Sequence, residues 1–249
     1  MKFFRKTEHN SMDKNKTGKY LKYAFGEITL VVIGILVAIL LNEWRVANNN
    51  KNQKTIVLNA LQLEFEANLQ QLDTVIHYTN KIPEAYFIAN KMMQKPLQKF
   101  TEMEYNKLIL GLGWTYTFNP SNGALRSAIS SSEIHLINTK RLIAILFSWE
   151  DAIKDSEEEG IRLLQFQYDS FVLKGKYISV SDEWKFILPG VLPPHKIADY
   201  NGLLQDDAFE NYSIRSFAYA KEYLSELIVI REKNIEIIAL IVAELKNKS

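Results

Sequence analysis

Residues 23–44 read YAFGEITLVVIGILVAILLNEW, and the architecture turns on this stretch. From Ile28 to Leu41 only Thr29 is polar. Taken alone, that run suits a buried core helix or a signal-peptide core, since crossing a bilayer needs about 20 residues. The wider stretch is long enough, making roughly 33 Å of helix at about 1.5 Å per residue. Tyr20 and Tyr23 stand at one end and Trp44 at the other, where amphipathic rings favour the headgroup level. The run is apolar all round, whereas a surface helix of a soluble domain keeps a polar face. The sequence therefore predicts a transmembrane helix over residues 23–44, anchored by Tyr23, Ile28 and Trp44.

The rival reading is a cleaved signal peptide. That requires a short basic leader and a small-x-small site after the apolar core. Here the basic leader is long, and Asn42, Glu43, Trp44 and Arg45 follow the core. An uncleaved signal anchor is the better fit.

Charge sets the orientation. The tail carries Lys2, Arg5, Lys6, Lys14, Lys16, Lys19 and Lys22 against Glu8 and Asp13. Beyond the span, Glu43 and Arg45 cancel. The positive-inside rule puts residues 1–22 in the cytoplasm of a bacterial cell and everything after Trp44 outside the inner membrane, in the periplasm of a Gram-negative cell. The tail can also lie on anionic lipid. Nucleic acid is the other partner of a basic tail, and its position against a span argues against that.

Two features inside the span carry possible function. Glu27 is ionisable near the hydrocarbon edge, and such residues are functional candidates; the plainer reading places it at headgroup depth. Gly34 and Ala38 form a small-xxx-small pair on one face, which lets helices approach closely, so a homodimer through them is one possibility. Glycine is in any case frequent in spans.

The N-terminal region, KFFRK at 2–6 and GKYLKYAFGEITLVVIGILVAILLNEW at 18–44, resembles a bacterial family known as a domain of unknown function, number 6090. A second block, FNPSNGALRSAISSSEIHLIN at 118–138, is similar to that family's central region, where a helix meets a Ser-Ser turn and then a long helix. Leu40 and Arg45 depart from the pattern. The resemblance implies a single-pass membrane protein with an extracytoplasmic helical domain. It implies no activity and no functional residues.

Residues 45–249 suffice for one domain with a sizeable core. Hydrophobic content of 47% and charged content of 24% are those of a globular protein. The net charge is +1, and the basic tail leaves the remainder slightly acidic, which disfavours a nucleic-acid ligand. Cysteine is absent, which removes disulfides, thiolate catalysis and cysteine metal sites.

Along the outer domain, Leu58, Leu61, Phe65, Leu69, Leu72 and Ile76 recur at helical spacing. A helix continuing from the span through Asn48–Asn52 and ending before Pro83 is predicted. Short helices follow over Pro83–Gln94 and Glu102–Leu112. Trp114, Tyr116 and Phe118 alternate like a brief extended piece. Asn119 or Ser121 can cap a helix running to about Ser130. Leu142, Leu146, Trp149, Ile153, Gly160, Leu163 and Gln167 mark the stripe of one long helix, from about Thr139 to Leu173. Residues 178–202, rich in proline and glycine, read as a loop. A last helix from near Ser213 shows a face of Phe217, Leu224, Ile228, Ile235, Ile238, Val242 and Leu245. The fold class is all-α, a transmembrane helix followed by a helical bundle.

Chemistry is sparse. Nucleophile elbow, zincin, P-loop and dinucleotide motifs are missing, and His9, His77, His135 and His195 are scattered. No catalytic residue, metal site or cofactor is assigned. Glu64 and Asn68, four apart beside the apolar face, form either a polar patch that reads a ligand or a pair that caps a neighbouring loop. Arg126, among helix-end hydroxyls, either holds an anion or pairs with an acidic residue. Trp149 lies on a core stripe, whereas Trp184 and Phe186 belong to the loop and are candidates for an exposed binding surface.

Three functions fit these features. The first is a non-enzymatic, membrane-anchored scaffold or interaction module that binds an envelope protein or a small ligand through the outer bundle, with the 178–202 loop as contact. The second is a sensory ligand-binding domain signalling through a partner. The third, a hydrolase built on scattered carboxylates, requires two close carboxylates in opposed environments.

Overall fold

A computed structural model describes residues 13–95, 99–113, 115–179 and 198–247, with side chains from residue 20 onward. All regular structure among the described residues is helical. The chain divides into two compact units, Met1–Lys54 and Thr55–Ser249.

The first unit is the early part of helix α1, Asp13–Thr79. Its apolar stretch is long enough to cross a membrane, and none of it is buried. The asparagines at 48–50 and 52 lie within the helix, as expected where no proline or glycine interrupts. The large apolar side chains from Ile28 to Leu41 are exposed, while the continuous helix bonds its own backbone groups, which is the condition for residence in lipid.

The second unit begins at Thr55. Here α1 turns amphipathic, and Val57, Leu58, Leu61, Phe65, Leu72 and Val75 are buried along one face. Helix α2, Lys81–Met93, follows with Pro83 in its first turn, where a missing N–H costs nothing. Helix α3, Glu102–Gly113, packs against α2 so closely that a Cβ at Gly111 would stand 2.5 Å from that of Ala85. It starts in a capping box: the Thr101 N–H donates to Glu104 Oε2 at 2.8 Å, and the Glu104 N–H donates to Thr101 Oγ1 at 3.3 Å. The Thr101 N–H and the Thr101 hydroxyl, both donating to Glu104 Oε2, hold the Glu104 carboxyl below the usual carboxylate range.

Residues 115–122 form no strand, so the alternation of Tyr116 and Phe118 marks irregular chain with one ring out and one in; Trp114 lies outside the described residues. Then come α4, Gly123–Ser130, and a 3-10 turn, Glu133–Leu136. Ser132 between them adopts φ 62°, the left-handed conformation that closes helices.

The single helix expected from Thr139 to Leu173 is three: α5, Lys140–Phe147; α6, Trp149–Asp169; and α7, Phe171–Gly175. The breaks fall at serines whose hydroxyls compete for backbone carbonyls. Ser148 Oγ donates to Ile145 O at 3.1 Å, and Ser170 Oγ donates to Gln167 O at 2.6 Å. The predicted stripe survives the breaks, because all seven of its residues are buried.

The expected 178–202 loop contains a short helix at its end, α8, Tyr200–Leu204, whose Asp199 cap accepts from the Gly202 N–H. Most of that loop, with Trp184 and Phe186, lies outside the described residues. The last helix, α9, runs from Asp207 to Lys246, starting before Ser213 because Asp206 caps it through the Ala208 N–H. Its buried face also differs from the expected one. Leu224 is buried as expected, but Ile228 and Ile235 are exposed, and the core side otherwise carries Ser216, Ala220, Tyr223, Leu227, Ile230, Asn234, Ile237, Ile241 and Glu244. Helix α9 packs against α6, α2 and α5. Trp149 and Phe65 meet edge to face at the centre, 4.9 Å between ring centroids.

Candidate functional site

The structure gathers its polar side chains around the block Phe118–Asn138. Helix α4 has eight residues and opens after Asn122, whose side chain makes no cap. Asn122 Oδ1 instead accepts from Trp149 Nε1 at 3.2 Å. The unpaired N–H groups at the start of α4 concentrate partial positive charge. Glu64 supplies what is missing: its carboxylate accepts from the Ala124 N–H at 2.7 Å and the Leu125 N–H at 3.0 Å. One turn along α1, Asn68 presents its amide to Ser121 like a strand partner. Nδ2 donates to Ser121 O at 2.8 Å, and Oδ1 accepts from Ser121 N at 2.9 Å. Glu64 and Asn68 thus act together on the backbone of the block. The caps expected from Asn119 or Ser121 are not made by those side chains.

Helix α9 holds the block from elsewhere. The hydroxyl of Tyr223, inside the core, accepts from the Phe118 N–H at 2.8 Å. Burial pushes that phenol up to about 12. The ring lies so close to Gly160 that a Cβ there would come within 2.9 Å of it. Glu244, also buried, accepts from the Asn138 N–H at 2.9 Å and from the Thr139 hydroxyl, where α5 begins.

Arg126, on the exposed side of α4, pairs with Glu150 at 3.0 Å. The pair borders an open hollow of about 570 Å³ that Asn119, Asn122, Lys154 and Glu157 also line. The hollow offers hydrogen bonds and charges of both signs, a surface suited to a polar partner. Among the described residues, no three His, Asp or Glu side chains converge as a metal site would require.

Of the residues singled out from sequence, Glu64, Asn68 and Arg126 come together around α4, while Tyr23, Glu27, Ile28, Gly34, Ala38 and Trp44 lie exposed along the apolar part of α1. Tyr223 and Glu244 escaped sequence reading because each sits about 105 residues from its backbone partner. A local signal did exist for Thr101-x-x-Glu104.

A family of unknown function (DUF6090) matches residues 27–154, just over half of the chain, and the chain belongs to that family. The matched region takes in the apolar stretch from Glu27, the Glu64–Asn68 pair, the block and Arg126 with Glu150. Tyr223 and Glu244 lie beyond it. No curated protein and no solved structure matches the chain.

Proposed function

We propose that the protein is a single-pass anchor-and-module of the bacterial inner membrane, with its basic tail in the cytoplasm and its helical domain in the periplasm. The domain does no chemistry and binds another envelope protein. One observation carries the reading: a fully exposed apolar helix preceded by a tail rich in lysine. Tethering keeps the domain at high local concentration near a membrane partner. The hollow beside Arg126 is the docking face, because its charges of both signs are exposed and orient a polar partner. Gly34 and Ala38, one turn apart on the span, are where a second copy packs.

Alkaline phosphatase and a green fluorescent protein, each fused to the C-terminus of the full chain, test the topology. Phosphatase activity in the membrane fraction, without fluorescence, is expected. Fluorescence overturns the orientation, and phosphatase released into the soluble fraction overturns the anchor. A photo-crosslinker at Lys154 in intact cells tests the docking face, which an absence of any discrete adduct overturns.

A further inference from the structure

From Ile56 onward, α1 is apolar on two opposite sides. Leu58, Leu61 and Phe65 face the core and are wholly buried, whereas Ile56 and Leu63 are 60% and 69% exposed. The exposed residues of α1 from 56 to 70 are Ile56, Asn59, Ala60, Leu63, Ala67 and Gln70, and none carries a charge. The solvated side of α6 is built differently, with Glu150, Lys154, Asp155 and Glu158 exposed. The carboxylates that flank the α1 stripe are turned to their own chain: Glu64 accepts from the Ala124 and Leu125 N–H groups, and Glu66 accepts from Gln62. Ile56, Ala60, Leu63 and Ala67 are four, three and four residues apart, the a/d repeat of a coiled-coil seam with large and small side chains alternating. A helix apolar on two sides has a second surface to bury.

The chain between Ser179 and Ala198 is too short to cover that surface. It leaves and returns at one place, where the Asp199 N–H donates to Tyr177 O at 2.9 Å and the Tyr177 hydroxyl donates to Asp206, the cap of α9. Contacts with α9 step backward along α1 and then α2: Asp73 pairs with Arg231, and Tyr86 and Phe87 pack on Phe217. Leu63, ten residues before Asp73, is therefore level with the stretch around Ile241, roughly 50 Å from Asp206 at about 1.5 Å per residue. Half of the connection extends at most about 30 Å.

We infer that this face is the seam between two copies of the chain, packed side by side outside the membrane. The inference rests on the single-pass reading. Two copies anchored in one bilayer are related by a two-fold axis along its normal, so residues on that axis meet their own counterparts. Any charge there would face its like, and a stripe clear of charge from Ile56 to Gln70 is what such self-pairing requires; a different protein could meet each charge with its opposite. Ile56 and Leu63 supply the apolar contact, and Ala60 and Ala67 let the two helices close up.

The chain has no cysteine, so single cysteines report without background. Ala60→Cys, Ala67→Cys and, as a control on α6, Ile161→Cys, whose native side chain is 52% exposed, are placed in the full chain and oxidised in native membranes with copper phenanthroline. A disulfide-linked product of twice the chain mass is expected from Ala60→Cys and Ala67→Cys, about tenfold above Ile161→Cys, which meets its counterpart only by collision. Leu63→Lys in the Ala60→Cys chain is expected to cut the yield about tenfold, since two leucines lose their burial and two ammonium groups face each other. Leu63 lies outside the core of the single chain, so circular dichroism of that variant should show unchanged helix content. A carbonate wash of the same membranes separates the two readings. Chain released by the wash overturns the anchor and the inference with it, whereas chain retained with no dimer above the control overturns the inference alone. A yield that Leu63→Lys leaves intact, or a discrete adduct at another mass, also overturns it.

Discussion

The Glu64 carboxylate meets the Ala124 backbone N–H at 2.7 Å, across 60 residues of chain, and caps a helix that has no cap of its own. A side chain from α1 therefore does for α4 what a local serine or aspartate does for most helices. Removing it exposes two donors at once. Glu64→Ala is expected to cost about 2–3 kcal/mol, the range for bonds to a charged group. Glu64→Gln keeps one acceptor oxygen and is expected to lose less. Thermal unfolding followed by circular dichroism in detergent ranks the three proteins; an unchanged midpoint for Glu64→Ala would falsify the capping role.

Asn68→Ala strips both bonds from Ser121 and is expected to cost about 1–3 kcal/mol. Because Glu64 and Asn68 hold one segment, the double variant should lose less than the sum of the singles. A double-mutant cycle measures the difference, and strict additivity would mean that the two contacts act on separate structures.

Tyr223 gives the fold an alkaline limit. Burial raises its phenol from near 10 to about 12, so the folded state favours the neutral form. The contribution is complete below pH 10 and is lost as pH climbs toward 12, on the order of 3 kcal/mol in all. Urea midpoints at pH 9, 10, 11 and 12 should fall along that course. Tyr223→Phe should remove this residue's share of the fall. At neutral pH it should itself cost about 1–3 kcal/mol, because the Phe118 N–H is left without its acceptor.

Asn234 lies wholly inside α9's packed face, and neither atom of its amide has a hydrogen-bond partner. An isosteric apolar residue avoids that desolvation cost, so Asn234→Leu should raise stability by about 1–2 kcal/mol. A lower unfolding midpoint would instead show that the amide binds an internal water.

Gly160 sets the distance between α6 and α9. A methyl there would stand 2.9 Å from the Tyr223 ring, which is itself fixed by its bond to Phe118. Gly160→Ala therefore gains helix propensity yet is expected to lose about 1–3 kcal/mol to overpacking. In the Tyr223→Phe background the phenol oxygen is gone and the ring is freer to move, so the penalty should shrink.

The parts of this fold that show in the sequence are those governed by neighbours in sequence. The apolar stretch, the proline start of α2 and the buried stripe from Leu142 to Gln167 all follow from local spacing. The helix breaks did not show, because a serine hydroxyl that takes a carbonyl at Ser148 or Ser170 looks like any helical serine until the backbone bends. The face of α9 did not show either, since isoleucines at 228, 230, 235, 237, 238 and 241 mark more than one side of a helix. Burial of Ser216, Asn234 and Glu244 then selects a side that hydropathy argues against. Glu64 and Asn68 were legible as a pair beside an apolar face, but their partners are backbone groups 53–61 residues away, to which spacing gives no clue.

The two sets of contacts on the block differ in when they can form. Bonds from α1 to Ser121 and Ala124 close over 53 and 60 residues, whereas those from Tyr223 and Glu244 close over 105 and 106. A chain synthesised from its N-terminus can complete the former pair early, while the latter must wait for α9. Until then Phe118 and Asn138 keep bare backbone donors at both ends of a half-built segment. The interval between those events is the time in which a chaperone can hold the chain or a protease can cut it, and its length is set by how fast the final helix arrives.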